Sequence, residues 1–275
     1  MSLLSDLEDA RESLPGHTDS DRVRILARHL LADLEASPPV DLDMLASSRD
    51  IASIVEAELP CAACLVKQGV TFRIQVRQSD SRRRRRFSIA HEIGHTFLPG
   101  YALTTQFRCD PVGQGRRDQI EVLSDIAASE LLMPHSFVED VLLNDGATVD
   151  AADAVSATCD ASFEASARRI VDIHGDAVLI VFELGCAPRQ PHASPKLRVR
   201  YSHPQGEWPF IPTHKSIDDD HPVQRCLEGE VVDEMTTLAS LSRKPVDVRM
   251  SAMYVPWDEE GSGRHHRVFC IASRG

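Results

Sequence analysis

No apolar run in this 275-residue chain approaches the ~20 residues that a membrane-spanning helix needs, so no membrane span is expected. The start, Met1-Ser2-Leu3-Leu4-Ser5-Asp6, lacks the basic and apolar regions of a secretory signal. A disulfide framework is also missing: the seven cysteines are odd in number and irregular in spacing. Reduced thiols in a cytoplasmic protein are the expectation. Positive charge is in short supply. Thirty Lys and Arg against 42 Asp and Glu leave a formal net charge of −12. Phosphate contacts need cations, so the chain reads as a poor general nucleic-acid binder. What remains is 42% hydrophobic and 26% charged, as in ordinary globular proteins. The length suffices for two domains with their own cores.

One segment carries chemistry. His91-Glu92-Ile93-Gly94-His95 fits H-E-x-x-H. On a helix, residues i and i+4 share a face one turn apart, so both imidazoles can converge on one ion. The glutamate beside the first histidine then stands next to the metal, placed to take a proton from a water. That is the working core of a zinc hydrolase, most often a peptidase. Phe87, Ala90 and Gly94 recur at helical spacing, which places the motif on a buried helix that Pro99-Gly100 ends. Gly94 weakens the helix, and a closely packed neighbour near the metal would account for it.

Such a site needs a third protein ligand. Ile120, Leu123, Ala127 and Leu131 mark the apolar stripe of a second helix ending near Pro134. Glu121 and Asp125 lie one turn apart on it. Glu121 is the candidate ligand, and Asp125 is placed to accept a hydrogen bond from the far nitrogen of a ligating histidine. Glu121 reads equally well as an ordinary carboxylate at a helix N-terminus.

The two segments together, Arg86-Phe87-Ser88-Ile89-Ala90-His91-Glu92-Ile93-Gly94-His95 and then Glu121-x-x-Ser-Asp-x-Ala-Ala-x-x-Leu-Leu-Met-Pro134, resemble the ImmA/IrrE family of metallopeptidases. The family pattern is approximately R-F-T-x-A-H-E-x-G-H followed by E-x-x-A-N-x-F-A-x-x-L-L-M-P. The chain departs from it at Ser124, Asp125 and Ala127. The resemblance implies His91, His95 and Glu121 as ligands of one Zn2+ ion and Glu92 as catalytic base. It covers roughly residues 82 to 134, with a weaker likeness from the N-terminal helix to about residue 175. Members of this family cleave helix-turn-helix repressors, and the longer ones carry a GAF-like sensor after the peptidase domain.

Two features lie outside the motifs. Cys109, in Gln106-Phe107-Arg108-Cys109-Asp110-Pro111, sits between the two ligand-bearing helices. A thiolate is a strong zinc ligand, so this cysteine is a candidate inhibitory fourth ligand, a switch released by oxidation. A small buried cysteine is the commoner fate. Arg82, Arg83, Arg84, Arg85 and Arg86 are consecutive just before the motif. At a helix N-terminus they oppose the dipole and call for something anionic: the protein's own acids, an acidic substrate segment, or a nucleic-acid backbone. Cys61-Ala62-Ala63-Cys64, a lone C-x-x-C, is expected to be structural.

The expected fold class is α+β. Residues 1–174 form a mainly helical, zincin-like metallopeptidase domain with a small β-hairpin or sheet. Residues 175–275 form an α+β, GAF-like sensor domain, as the resemblance suggests. A helical stretch from about 5 to 36 carries Val23, Leu26, Leu30 and Leu34 on one stripe, and a second helix starts near Asp41. Residues 62–66 and 71–76 around Gly69 read as a hairpin. Residues 148–174 read as two helices with a turn near Asp160 to Ser162, a helix-turn-helix-like segment. Strands are expected at 177–182, 197–201, 246–254 and 267–272, with a helix and a short strand between 223 and 238. The expected activity is zinc-dependent cleavage of a helix-turn-helix repressor, held latent until a signal releases Cys109. Single-stranded DNA or a small molecule is the expected activator. The alternative is a regulator that binds and displaces the repressor without cutting it.

Overall fold

The computed structural model describes residues 6–101, 106–107, 118–186, 192, 194–238, 241, 245–259 and 263–274. The architecture is mixed α+β. The chain divides into two compact units, residues 1–137 with 157–162, and residues 138–156 with 163–275.

The first unit opens with α1 (Leu7–Ser13) and α2 (Asp19–Asp33). The sequence suggests one continuous helix here. The structure breaks it after Ser13, where Pro15 and the left-handed Gly16 follow, and Thr18 restarts it with a capping box to Asp21. The buried stripe of α2 is Val23, Leu26, Ala27 and Leu31. Leu30 and Leu34, expected on it, are half-buried. Then comes α3 (Leu42–Ser47), capped by Asp41, whose carboxylate accepts from the backbone N–H of Asp43 and Met44.

A four-stranded sheet follows, built from β1 (Ile51–Ala57), β2 (Ala63–Gln68), β3 (Thr71–Arg77) and the two-residue β4 (Gln106–Phe107). Its order is β1-β3-β2-β4. The β2–β3 hairpin turns on Gly69 at φ +66°, a left-handed position that glycine occupies without strain. Alternation in β3 buries Phe72, Ile74 and Val76. β1 pairs with β3 in parallel, so the expected hairpin is the inner part of a larger sheet.

Two helices carry the motifs: α4 (Arg82–His95), capped by the Ser81 side chain, and α5 (Gln119–Leu132), capped by Asp118. In α5 the buried side is Leu123, Ser124, Ala127, Ala128 and Leu131, whereas Ile120 is exposed. α6 (His135–Asp145), α7 (Val149–Cys159) and α8 (Phe163–His174) complete the helices. The last two are the expected pair, with the turn at Asp160 in a positive-φ conformation.

In the second unit, β5 (Ala177–Gly185), β6 (Lys196–Gln205), β7 (Val232–Thr237), β8 (Asp247–Tyr254) and β11 (Arg267–Ser273) form one antiparallel sheet in the order β6-β5-β11-β8-β7. A small ribbon pairs β9 (Trp257–Glu259) with β10 (Gly263–His265). All seven residues of β11 are buried, as a central strand covered on both faces requires. Phe163 of α8 packs edge-on against Phe269, 5.2 Å between ring centres, on one face. On the other, Val178, Ile180, Val268 and Cys270 meet Val223 of a short 3-10 helix, Pro222–Glu228, which His221 caps, and Ile211, Ile217 and Leu241 from the irregular segments.

Candidate metal centre

Helix α4 is anchored at its C-terminal end by Arg49. Arg49 donates to the Thr96 hydroxyl at 2.9 Å and to its carbonyl at 2.7 Å. Its guanidinium lies 5.0 Å from the centre of the Phe97 ring. A cation at the C-terminal end satisfies orphan carbonyls and suits the dipole. Along its length α4 lies against α5, and Gly94 sets how close they come. A Cβ on Gly94 would fall 2.8 Å from the Ala127 Cβ and 3.0 Å from the Ser124 carbonyl oxygen. Only hydrogen fits there, the close neighbour that the motif's glycine suggests.

At this contact the motif side chains meet. His91, Glu92 and His95 are all buried, with one ligand atom from each within 4.8 Å of the others. The two histidine Nε2 atoms are 3.0 Å apart. Glu121 brings one oxygen to 3.6 Å from His91 Nε2 and the other to 3.7 Å from His95 Nε2. Asp125 Oδ1 is 2.8 Å from His91 Nδ1, and Ser124 Oγ is 3.1 Å from His95 Nδ1.

The outer contacts fix the tautomers. An ionised carboxylate only accepts, so His91 donates to Asp125 from Nδ1. The Ser124 hydroxyl donates its one proton to the Ile120 carbonyl at 3.0 Å, so it accepts from His95 Nδ1. Both Nε2 atoms then converge on one spot beside the Glu121 carboxylate, a donor set suited to a cation. Tetrahedral zinc with bonds of about 2.0–2.1 Å sets its ligand atoms about 3.3 Å apart. The observed separations of 3.0, 3.6 and 3.7 Å bracket that value. The residues present therefore fit a divalent metal of the zinc type. Ser124 is the residue that the sequence reading missed. It stood out only as a departure from the family pattern, although its position three residues after Glu121 places it on the α4 side of α5.

The arginines lie at the other end of α4. Arg82, Arg83 and Arg86 turn to Asp160, with nitrogen–oxygen separations of 2.7, 3.6 and 3.7 Å. Arg85 donates to the carbonyls of Gln78 and Asp80 and lies 3.4 Å from Glu56. Arg86 also donates to the Val40 carbonyl at 2.9 Å. Arg84 is exposed. Four of the five arginines thus lie near two of the protein's own acids, Asp160 and Glu56. Cys109 lies outside the described residues. Cys61 and Cys64 are buried, and Cys64 donates to the Gln75 side-chain oxygen at 3.6 Å.

No curated protein matches the chain. Among solved structures, a Mycobacterium tuberculosis transcriptional regulator superposes with a TM-score of 0.56 at 11% identity, covering 98% of this chain and 81% of that one. At that identity the likeness is one of fold. Residues 63–171 match the IrrE N-terminal-like domain, and the span contains both α4 and α5. That span therefore carries an IrrE N-terminal-like domain of the Peptidase_M78, metallopeptidase type.

Proposed function

We propose that this protein is a zinc-dependent endopeptidase that cleaves a helix-turn-helix transcriptional repressor, and so derepresses stress, mobile-element or defence genes in the cytoplasm. The observation that carries the reading is the meeting of His91 Nε2 and His95 Nε2 at 3.0 Å, with Asp125 and Ser124 on their far nitrogens and the buried Glu92 beside them. His91, His95 and Glu121 would hold the ion, which when bound supplies Lewis acidity and water activation. Glu92 would take the proton of the attacking water and return it to the leaving amine. A site that served only to hold the fold together would have no use for that carboxylate. Asp125 and Ser124 would keep both imidazoles in the metal-binding tautomer throughout.

The regulatory part of the reading rests on the second unit. Its antiparallel sheet, with a helix on one face and a short 3-10 helix and irregular segments over the other, supports a GAF-like sensor that takes a small molecule or single-stranded DNA as signal. The similar fold is that of a transcriptional regulator, in keeping with a role in gene control. Latency through Cys109 belongs to the same proposal, and replacing Cys109 with Ser, or oxidising it, should then raise activity.

The test is cleavage of the helix-turn-helix regulator encoded beside this protein's gene. Metal-loaded wild type should cut it once, while Glu92→Gln and chelated protein should not. If Glu92→Gln lifts the repressor from its operator as well as wild type does, the protein acts by binding and the peptidase reading is wrong.

A further inference from the structure

Beside α4, on the side away from the metal histidines, lies a half-open cleft of about 470 Å3. That size falls within the range of small-molecule sites, about 300–1,000 Å3. At about 100° per residue, Arg82, Arg86 and Ile89 share one side of α4 and His91 lies about 180° from Arg82. The cleft is thus separate from the metal centre but built on the same helix. Its floor is apolar, formed by Ile54, Val76 and Ile89.

Its charges are balanced. Arg82, Arg85 and Arg86 line it together with Asp41, Asp43 and Glu56, three cations against three anions. A polyanion such as nucleic acid would meet three carboxylates here. A dipolar ligand finds a partner for each end. The groups are also open to capture. The Arg82 side chain is 76% exposed and the Glu56 side chain 56%. Ion pairs in such settings are weak and easily exchanged. Asp41 is occupied as the cap of α3, but the Asp43 carboxylate enters no ion pair among the described residues.

We propose that this cleft is a second ligand site, which takes a short zwitterionic peptide. The carboxylate end would lie against Arg82, the ammonium end against Asp43 and Glu56, and the side chains on Ile54, Val76 and Ile89. A peptide held there braces the reverse face of the helix that presents His91, Glu92 and His95. The site needs neither metal nor catalysis, so it stands apart from the peptidase reading.

The experiment is an amide NMR titration of the full-length chain, kept in chelator, with the dipeptide Val-Leu, its N-acetyl form and its C-terminal amide. Free Val-Leu should bind with a Kd on the order of 1 mM or tighter, with shifts centred on residues 42–43 and 82–89. Either cap should weaken binding roughly ten-fold, as should Arg82→Gln or Asp43→Asn. Glu121→Gln, at the metal centre, should leave it unchanged. Absence of binding overturns the proposal, as does equal binding of the capped peptides. So do shifts centred on residues 121–125, or loss of binding in Glu121→Gln. Salt-sensitive displacement of Val-Leu by an oligothymidylate would assign the cleft to a polyanion instead. A chain that binds Val-Leu here but cleaves nothing would refute the peptidase reading alone.

Discussion

A single absent methyl group sets the geometry of the metal centre. Gly94 lets α4 approach α5 until a Cβ would meet the Ala127 Cβ at 2.8 Å and the Ser124 carbonyl at 3.0 Å. Gly94→Ala gains helix propensity of about 1 kcal/mol. It also overpacks the contact, at a cost of about 1–3 kcal/mol. Backbone is among the obstructing atoms, so the cost wins. The substitution should lower stability by about 1 kcal/mol and weaken zinc binding, read by urea unfolding and a competitive zinc titration. Wild-type stability with unchanged zinc affinity would show that the helices yield freely. Ser124 acts at the same scale. Ser124→Ala removes the acceptor that fixes His95, and zinc affinity should fall about 10–100-fold with the fold intact. The need for a glycine was legible in the sequence because helix propensity marks Gly94 as costly. The role of Ser124 was not, because a serine on a helix has many uses until its neighbour across the contact is known.

Among elements, α2 and α5 are tied by an ion pair that no local pattern announces. The Glu130 side chain is fully buried. It receives Arg28 Nε at 3.0 Å, and the backbone N–H of His135 at 3.2 Å. Removing the cation leaves a buried carboxylate with less support. Arg28→Met should cost roughly 1–3 kcal/mol, less than for a fully buried pair because Arg28 is partly exposed. Chemical denaturation would measure it, and a loss below about 0.5 kcal/mol, the size of an ordinary surface change, would mean that the pair contributes little. The sequence suggested the helices that carry motifs and the hairpin, since local periodicity encodes them. It did not suggest β1. That strand pairs in parallel with β3, a partner about 20 residues away, and its own residues, Ile51-Ala52-Ser53-Ile54-Val55-Glu56-Ala57, alternate only loosely.

For the molecule as a whole, the two units give stability two different chemical dependences. In the first, zinc should stabilise by mass action, about 4 kcal/mol at a thousand times its Kd. In the second, acidity should matter through His221. Its Nδ1 accepts the Val223 N–H at 3.3 Å, which requires a neutral ring on that side. Burial pushes its pKa below the ordinary 6.5, although Asp218, Asp220 and Glu234 pull the other way. A folded-state pKa below the unfolded one means that the contribution is whole above pH 6.5 and declines as pH falls through the depressed value. Unfolding of the second unit should therefore become easier as pH falls below 6.5. His221→Asn keeps a helix cap without the titration, so it should flatten that slope. An unchanged slope in the variant would assign the acid sensitivity to other groups.

Sequence by itself pointed to a candidate metal site. Two imidazoles four residues apart with a glutamate beside the first suit one ion, and helical periodicity is enough to place them on one element. It also determined most strands of the second unit, because a core strand must be written in apolar residues. Tertiary structure alone decided how His95 is held, which acids answer the arginines, and that β11, the last strand in the chain, sits at the centre of its sheet. Local pattern records what a residue needs, such as burial, a helix or a charge. It does not record which distant residue meets that need, because any of several partners would satisfy it until the chain closes.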